Sequence, residues 1–514
     1  MIYEGIVIAG GIFAFISAMG IGANDVANAY ATAVGSKALT IKQSVVLAAV
    51  FETGGAILMG NHVSKTIRKG IADYECFEDD PGPLMYGCMC VCISVGMWLF
   101  LASKYEMPVS TTHSCVGGMI GMTIALKGAR CVTWYEEKDL FPYVGGVAGI
   151  VLSWIISPVA SAAIASTLFA IIRSVILRSQ NSLSRTTILF PVLIGGTVTL
   201  NSFFIIYKGA KGLDLDETPL NIACYWSFGI GGAVAVLVVP FLPKIKHNAQ
   251  ETVARRLEND QQLQAIELQD TNNGEIQEIP EAFAIKEIEK KDASNLWGIA
   301  TYINKSLKVD LDDIVKQDDT VTAIHNNAEV FDETTEEYFK SLQIFTAICD
   351  SFSHGANDVA NAIGPFMAIY MIGKSGDVDS ENSFGDGTAY WILAMGGVGI
   401  SLGLLIYGYK ILHAIGTKLC KLTPSRGTSI ELASAIVIIT GSRLEIPLST
   451  THCQVGATLG VAALEDPRNC SGINIKIVGK CIAGWVITLV VVGCSTAALT
   501  AQGAYSPEVG KHCD

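Results

Sequence analysis

The sequence predicts an all-α integral membrane protein of about twelve transmembrane or re-entrant helical segments, arranged as two inverted-topology repeats. Three observations predict it: an apolar composition, runs of membrane-spanning length, and two polar motifs that each occur twice in the same order.

Composition sets the class. Of 514 residues, 50% are hydrophobic and only 16% are charged, and the mean hydropathy is +0.42. Soluble globular chains do not keep that balance. The lipid bilayer is therefore the first partner, and no nucleic-acid partner is expected.

Crossing the hydrocarbon core takes roughly 20 helical residues. Apolar runs near that length cover Gly5 to Val34, Ser44 to Met59, Leu84 to Ala102, Val109 to Leu126, Val144 to Ile172, Thr187 to Ile206 and Ile222 to Leu242. They resume at Leu342 to Ile372, Ala389 to Tyr407, Ile430 to Thr440, Leu448 to Leu464 and Ile477 to Leu499. The tenth is short, and a stretch holding Arg443, Glu445 and Pro447 parts it from the eleventh. Those two read either as separate spans or as one re-entrant hairpin.

Short loops rich in Lys and Arg stay cytoplasmic. Arg173, Arg178 and Arg185 put the loop after the fifth segment inside, and Lys410, Lys418, Lys421 and Arg426 do the same after the ninth. The loop with Asp377, Asp379, Glu381 and Asp386 then lies outside, as do both termini. Lys65, Arg68 and Lys69 also fall outside, against the rule, in the company of Asp73, Glu75, Glu78, Asp79 and Asp80. The first apolar run lacks the basic flank of a cleavable signal peptide, and the plasma membrane is the expected location. Most of the fourteen cysteines, including Cys88, Cys90, Cys92, Cys349, Cys481 and Cys494, sit in apolar runs and read as small buried hydrophobes. Cys76, Cys131 and Cys513 face an oxidising exterior, with their pairing open.

The chain divides into membrane halves 1–242 and 341–514 around a segment, 243–340, where the apolar pattern stops. This segment is rich in acids, among them Asp312, Asp313, Asp318, Asp319, Glu336 and Glu337, and carries much of the net charge of −13. It reads as a largely disordered cytoplasmic tether, in which Leu296, Trp297, Ile299 and Tyr302 share one face of a short amphipathic helix.

On either side of it the motifs repeat. G-A-N-D-V-A-N-A stands at Gly22 to Ala29 and at Gly355 to Ala362; M-P-V-S-T-T-H at Met107 to His113 is matched by I-P-L-S-T-T-H at Ile446 to His452. Two matched pairs in matched order mark an internal duplication. The first motif lies in segment one and its copy in segment eight, so an odd number of crossings separates them and the halves run oppositely. Inverted repeats with polar, Gly- or Pro-interrupted segments at corresponding places mark a secondary transporter with its site at the repeat interface.

The motifs supply the chemistry of two ions. An intramembrane carboxylate needs a partner, a cavity or an ion path, so Asp25 and Asp358 are candidate ligands. Gly22 and Gly355 permit the helix to open there, and Asn24, Asn28, Asn357 and Asn361 add hard oxygens that suit sodium. Pro108 and Pro447 fit helix starts. Ser110, Thr111, Thr112 and their counterparts Ser449, Thr450, Thr451 then occupy opening turns, where unpaired backbone N–H groups and the helix dipole attract anions. Two such ends facing each other make a cradle for a small tetrahedral oxyanion. A cation held by the aspartates neutralises them and draws the anion in, which couples the two ions.

These motifs, the acidic central segment and the twelve-segment plan resemble the inorganic phosphate transporter family, whose eukaryotic members include sodium/phosphate symporters. The resemblance covers both membrane halves and not the segment between them. It implies sodium-coupled phosphate uptake by alternating access, with Asp25 and Asp358 essential and no cofactor beyond sodium as co-substrate; it allows a homodimer. It also draws Glu52, in F-E-T-G-G, and Glu431, in S-I-E-L-A-S, into the sodium machinery. These two are not symmetry mates, because aligning the P-x-S-T-T-H motifs sets Glu431 opposite Cys92. His354 stands where the first copy has Ile21, and its imidazole is a candidate pH sensor; His113 and His452 orient the hydroxyl turns.

Other readings stay open. Ser, His and Asp are also hydrolase parts, but an enzyme needs its catalytic set once and everything here is present twice, so no enzyme is expected. A proton-coupled phosphate or sulfate permease shares the signature, and a membrane phosphate receptor would bind without moving its ligand.

Overall fold

The computed structural model describes residues 3–139, 143–207, 215, 218–273, 318–378, 388–465 and 472–505. In the first half, α1 (Glu4–Asn24), α2 (Val26–Gly35), α3 (Ile41–Lys69), α4 (Pro81–Lys104) and α5 (Thr111–Lys127) precede α6 (Gly146–Ile172), α7 (Ser182–Ile206), α8 (Leu220–Val238) and α9 (Leu242–Asn273). The second half runs α10 (Asp319–Asn327), α11 (Glu333–Ser375), α12 (Thr388–Tyr407), α13 (Tyr409–Lys418), α14 (Pro424–Arg443), α15 (Thr450–Ala462) and α16 (Ile475–Tyr505). Local signals set the helix starts. Thr40 closes a capping box with Gln43 at α3, and Pro81 and Pro424 open α4 and α14 where no amide hydrogen is needed.

Among the described residues, eight helical stretches are long and apolar enough to cross a membrane, fewer than the segments expected from the sequence. The difference has two causes. Helices α5 and α15 are only 17 and 13 residues long, because each begins inside the bundle at a buried serine. Helices α11 and α14 carry buried polar residues, among them Gln343, Asp350, His354, Asp358 and Glu431, which dilute their apolar pattern. Elsewhere large apolar side chains point outward, as Phe228 and Val159 do at 70% and 65% exposure, the arrangement of helices solvated by lipid.

The duplication is visible in the packing. Helix α1 packs on α4 as α11 packs on α14, and α5 packs on α16 as α15 packs on α6. The crossings that join the halves are also paired: α1 with α12, and α3 with α11. Both are close enough to need glycine. A β-carbon at Gly22 would lie 1.7 Å from the Ile400 carbonyl oxygen, and one at Gly355 would lie 2.2 Å from that of Glu52. Reciprocally, Gly403 abuts the Met19 carbonyl and Gly55 that of Phe352, at 1.9 and 2.0 Å from the corresponding β-carbons.

Four expectations are corrected here. The first G-A-N-D segment does break, but at Asp25 and not at Gly22; the second copy does not open at all, and α11 passes unbroken through Gly355. The central segment begins as helix α9, held to the bundle by buried Leu242, Ala249 and Val253 and by an Arg256–Glu337 ion pair of 3.0 Å. Leu296, Trp297, Ile299 and Tyr302 lie outside the described residues, as do Asp379, Glu381, Asp386 and Cys513. Cys494 is exposed on α16 and not buried. Cys76 and Cys131 form a disulfide that ties the segment after α3 to the end of α5, beside the two-residue strands β1 (Glu136–Glu137) and β2 (Val144–Gly145).

The glycine crossings give a direct test. Gly55→Ala places a methyl group against the Phe352 carbonyl, whereas Gly54 has nothing within 4 Å. Gly55→Ala is expected to cost about 1–3 kcal/mol through overpacking, and Gly54→Ala to be neutral or mildly stabilising. Thermal unfolding of the two variants in detergent checks the contrast, and equal melting temperatures would refute this crossing geometry.

Candidate functional site

The starts of α5 and α15 meet at the centre of the bundle. Ser110 and Ser449 cap them, accepting from the backbone N–H of His113 at 3.2 Å and of His452 at 3.4 Å, and the Ser449 hydroxyl donates to that of Ser110 at 2.9 Å. The turns also lock reciprocally. Thr112 donates to the Leu448 carbonyl at 2.7 Å, and Thr451 to the Val109 carbonyl at 3.2 Å. Thus the two hydroxyl-rich ends expected from the sequence are brought face to face, with their free backbone N–H groups at the repeat interface.

Each aspartate lies against both ends. Asp25 accepts from Thr111 of its own half at 2.7 Å and from Thr451 of the other half at 2.6 Å. Asp358 accepts from Thr450 at 2.5 Å and from Thr111 at 3.4 Å. Asn28 and Asn361, one turn on, donate to Asp25 and Asp358 at 2.7 and 2.8 Å. They then reach across the interface, Asn28 to Thr451 at 3.3 Å and Asn361 to Thr112 at 3.2 Å. All these side chains are buried.

The amide oxygens sort the asparagines. Asn24 is committed to the backbone: its oxygen accepts from Val109 N–H at 2.9 Å and its amide donates to Met107 O and Ser103. It holds α1 to the turn before α5. The side-chain oxygens of Asn28, Asn357 and Asn361 are buried without a hydrogen-bond donor, which is costly unless a cation or water takes them.

His354 joins two elements. Its Nδ1 lies 2.8 Å from Glu52 and its Nε2 lies 2.9 Å from Asp358, and Asp25, His354 and Asp358 each present a ligand atom within 4.8 Å of the others. Glu52, in α3, also accepts from Ser351 at 2.9 Å. Glu431 stands apart. It accepts from Thr32 at 2.5 Å, Thr346 at 2.6 Å and Gln343 at 3.2 Å, tying α14 to α2 and α11. The set is dominated by carboxylate, amide and hydroxyl oxygens, the donor chemistry of a hard cation and not of a thiophilic metal.

Two features were missed from the sequence. The first is an aromatic stack, Trp154–His113–His452–Trp485, with ring centroids 3.6, 4.8 and 3.6 Å apart. Its signal was a repeated W-I-I and W-V-I, at Trp154 and Trp485, downstream of each P-x-S-T-T-H motif. The second is Asp350, fully inside α11, whose signal was a lone acid in an apolar run.

Comparison with known proteins agrees with this architecture. The model of the phosphate transporter family matches residues 21–496. A phosphate-repressible phosphate permease of Neurospora crassa is 29% identical, over 94% of this chain and 95% of the relative. A putative phosphate permease of Pyrococcus horikoshii is 32% identical over 94% of each chain. The human sodium-dependent phosphate transporter 1 is 26% identical, over 93% of this chain and 92% of the relative. A solved structure described as the sodium-dependent phosphate transporter superposes with a TM-score of 0.71 at 29% identity, covering 96% of this chain and 98% of that one. The paired motifs, their meeting at the repeat interface and the match along nearly the whole chain identify this protein as a member of the phosphate transporter family, a multi-pass membrane protein and not an enzyme.

Proposed function

We propose that this chain carries inorganic phosphate into the cell together with sodium, by alternating access around the site between α5 and α15. One observation carries the reading: Thr111 touches both Asp25 and Asp358 at the point where two half-helix N-termini meet. An anion site and a carboxylate pair therefore share the same hydroxyls, and a cation is required before the anion can enter.

On this reading sodium is held by Asp25 with Asn28 and Thr451, and by Asp358 with Asn361 and Thr111. The donorless oxygens of Asn28, Asn357 and Asn361 turn inward as ligands. Phosphate takes the backbone N–H groups and hydroxyls of Ser110, Thr111, Thr112, Ser449, Thr450 and Thr451, and its own protons hydrogen-bond to carboxylate, which sulfate cannot do. Glu52 acts through His354, fixing that ring against Asp358. Glu431 holds α2, α11 and α14 together beside the path. Since His354 spans Glu52 and Asp358, it is the point at which pH enters. The membrane is the plasma membrane, with both termini outside and the acidic central segment in the cytoplasm.

Radiolabelled phosphate uptake into proteoliposomes tests the reading. Accumulation is expected under an inward sodium gradient; accumulation under a proton gradient alone would replace sodium, and none under either would leave a receptor. Asp358→Asn should reduce sodium-driven uptake by at least about tenfold, because the amide cannot neutralise the cation and loses charge-assisted hydrogen bonds of about 1.5–3 kcal/mol. Wild-type uptake in that variant would remove the central assignment. Thr111→Ala with Thr450→Ala should raise the half-saturating phosphate concentration more than either change alone, each by about tenfold if one hydrogen bond to a charged group is lost. Unchanged phosphate dependence of the double variant would refute the two-sided cradle.

A further inference from the structure

Two loops lead into the hydroxyl turns, and they match. Glu106-Met107-Pro108 precedes Ser110, and Glu445-Ile446-Pro447 precedes Ser449. Both glutamates hold a left-handed backbone, with φ of 54° and 56°, a conformation that residues other than glycine take rarely. Each loop is tied to the other repeat: Lys418, which ends α13, lies 3.6 Å from Glu106, and Thr66, near the end of α3, donates to the Glu445 carbonyl at 2.7 Å. Helix α4, 24 residues long, carries the chain about 36 Å between the segment after α3 and Glu106, so the loops lie at opposite ends of the bundle.

Each loop borders a cavity. One, of about 230 Å³, is lined by Lys65, Lys69, Lys138, Glu136 and Glu445 and reaches Pro447. The other, of about 370 Å³, is lined by Lys418, Lys480 and Glu106 and reaches Pro108. The cavities are themselves mates: Gly149 in the first and Lys480 in the second each stand five residues before a tryptophan of the ring stack, Trp154 and Trp485.

Charge singles them out. In a chain of net charge −13, lysines outnumber glutamates in both cavities, three to two and two to one. The Cys76–Cys131 disulfide, in the segment that follows Lys65 and Lys69, suits the oxidising side of a membrane, so theirs is the outer mouth. Lysines kept there against the rule that holds basic loops in the cytoplasm call for a use outside. The central site is close at hand: Pro447 stands two residues before Ser449, at most about 7 Å of extended chain.

We propose that Lys65, Lys69 and Lys138 form an outer docking site for inorganic phosphate, which gathers the anion from the medium before it enters the hydroxyl turn of α15. The proposal rests on the phosphate reading given above. Lysine suits the task, because its ammonium is a mobile point charge that attracts phosphate without the fixed two-pronged grip of arginine. Glu136 and Glu445 temper the attraction, so the cavity delivers the anion and does not trap it. Charged clefts of this kind raise association rates by about tenfold or more, and the gain is lost as ionic strength rises.

Sodium-driven uptake into proteoliposomes, measured against external phosphate at low and high ionic strength with sodium held constant, tests the site. Lys65→Gln with Lys138→Gln is expected to raise the half-saturating phosphate concentration severalfold at low ionic strength, without lowering the maximal rate, and the difference should close at high ionic strength. Lys65→Arg with Lys138→Arg should restore the wild-type dependence. Arg130→Gln removes a charge exposed beside Cys131 but outside the cavity, and is expected to change nothing. An unchanged half-saturating concentration in the glutamine variant at low ionic strength, or an equal rise in Arg130→Gln, would overturn the docking site and leave the transport reading standing. A lowered maximal rate with the half-saturating concentration intact would overturn it too, by making the lysines structural. Wild-type protein that accumulates no phosphate under any gradient would remove the transport reading, and this site with it.

Discussion

Everything in this molecule is arranged around two carboxylates that cannot remain charged and alone in an apolar interior. Asp25 and Asp358 are buried, and the Coulomb and desolvation costs of such groups are severe unless donors or cations face them. The fold meets that demand by bringing helix starts, where hydroxyls and free N–H groups are concentrated, into the middle of the bundle. Short α5 and α15, the reciprocal Thr112–Leu448 and Thr451–Val109 hydrogen bonds, and the glycine crossings that let the helices approach are all consequences. Each aspartate draws hydroxyl donors from both ends, so neither half completes the site by itself.

Symmetry at the centre and asymmetry around it divide the work. On the proposed reading, paired residues bind what must be held identically from either side, whereas His354, Glu52 and Asp350, which correspond to isoleucine, isoleucine and serine in the other repeat, distinguish one side from the other. Two identical halves have no intrinsic direction. On the proposed reading the two sides must differ, and the buried polar residues Asp350 and His354 along α11 are one place where the repeats do differ.

Much of this was legible in the sequence. Repeated letters located Asp25, Asp358 and both hydroxyl turns, since a motif present twice in matched order reports a symmetric site without any structure. Periodicity recovered the long lipid-facing helices and the apolar core of α11, but it started α14 at Ile430 and not at Pro424, because the buried polar residues Ser425, Arg426, Thr428 and Ser429 erase the apolar pattern in its first turns. The break at Asp25 was displaced by three residues from the glycine, and its absence in α11 was invisible: helix continuity there depends on packing against α3 and α14, which local sequence does not encode. Asn24 and Asn28 are chemically alike on paper. Only the structure shows that the first is occupied by Val109 and Met107 and the second keeps a free oxygen. Glu52 and Glu431 were already distinguishable as not being symmetry mates, but only the structure shows their partners: one faces an imidazole and the other three neutral donors.

The same geometry explains why ions and protein motion would be linked on the proposed reading. In the structure the aspartates accept hydrogen bonds from threonines of both halves, Thr111 and Thr451 on Asp25 and Thr450 and Thr111 on Asp358. Those bonds hold the repeats together and occupy the hydroxyls that an anion would use. A cation taking over the carboxylate oxygens frees the hydroxyls and removes the carboxylate repulsion at once, so the cost of parting the halves falls only when the site is loaded. A ligand shifts such an equilibrium only by its different affinity for the two states, and threonines that serve the carboxylates in one state and the anion in the other supply that difference directly.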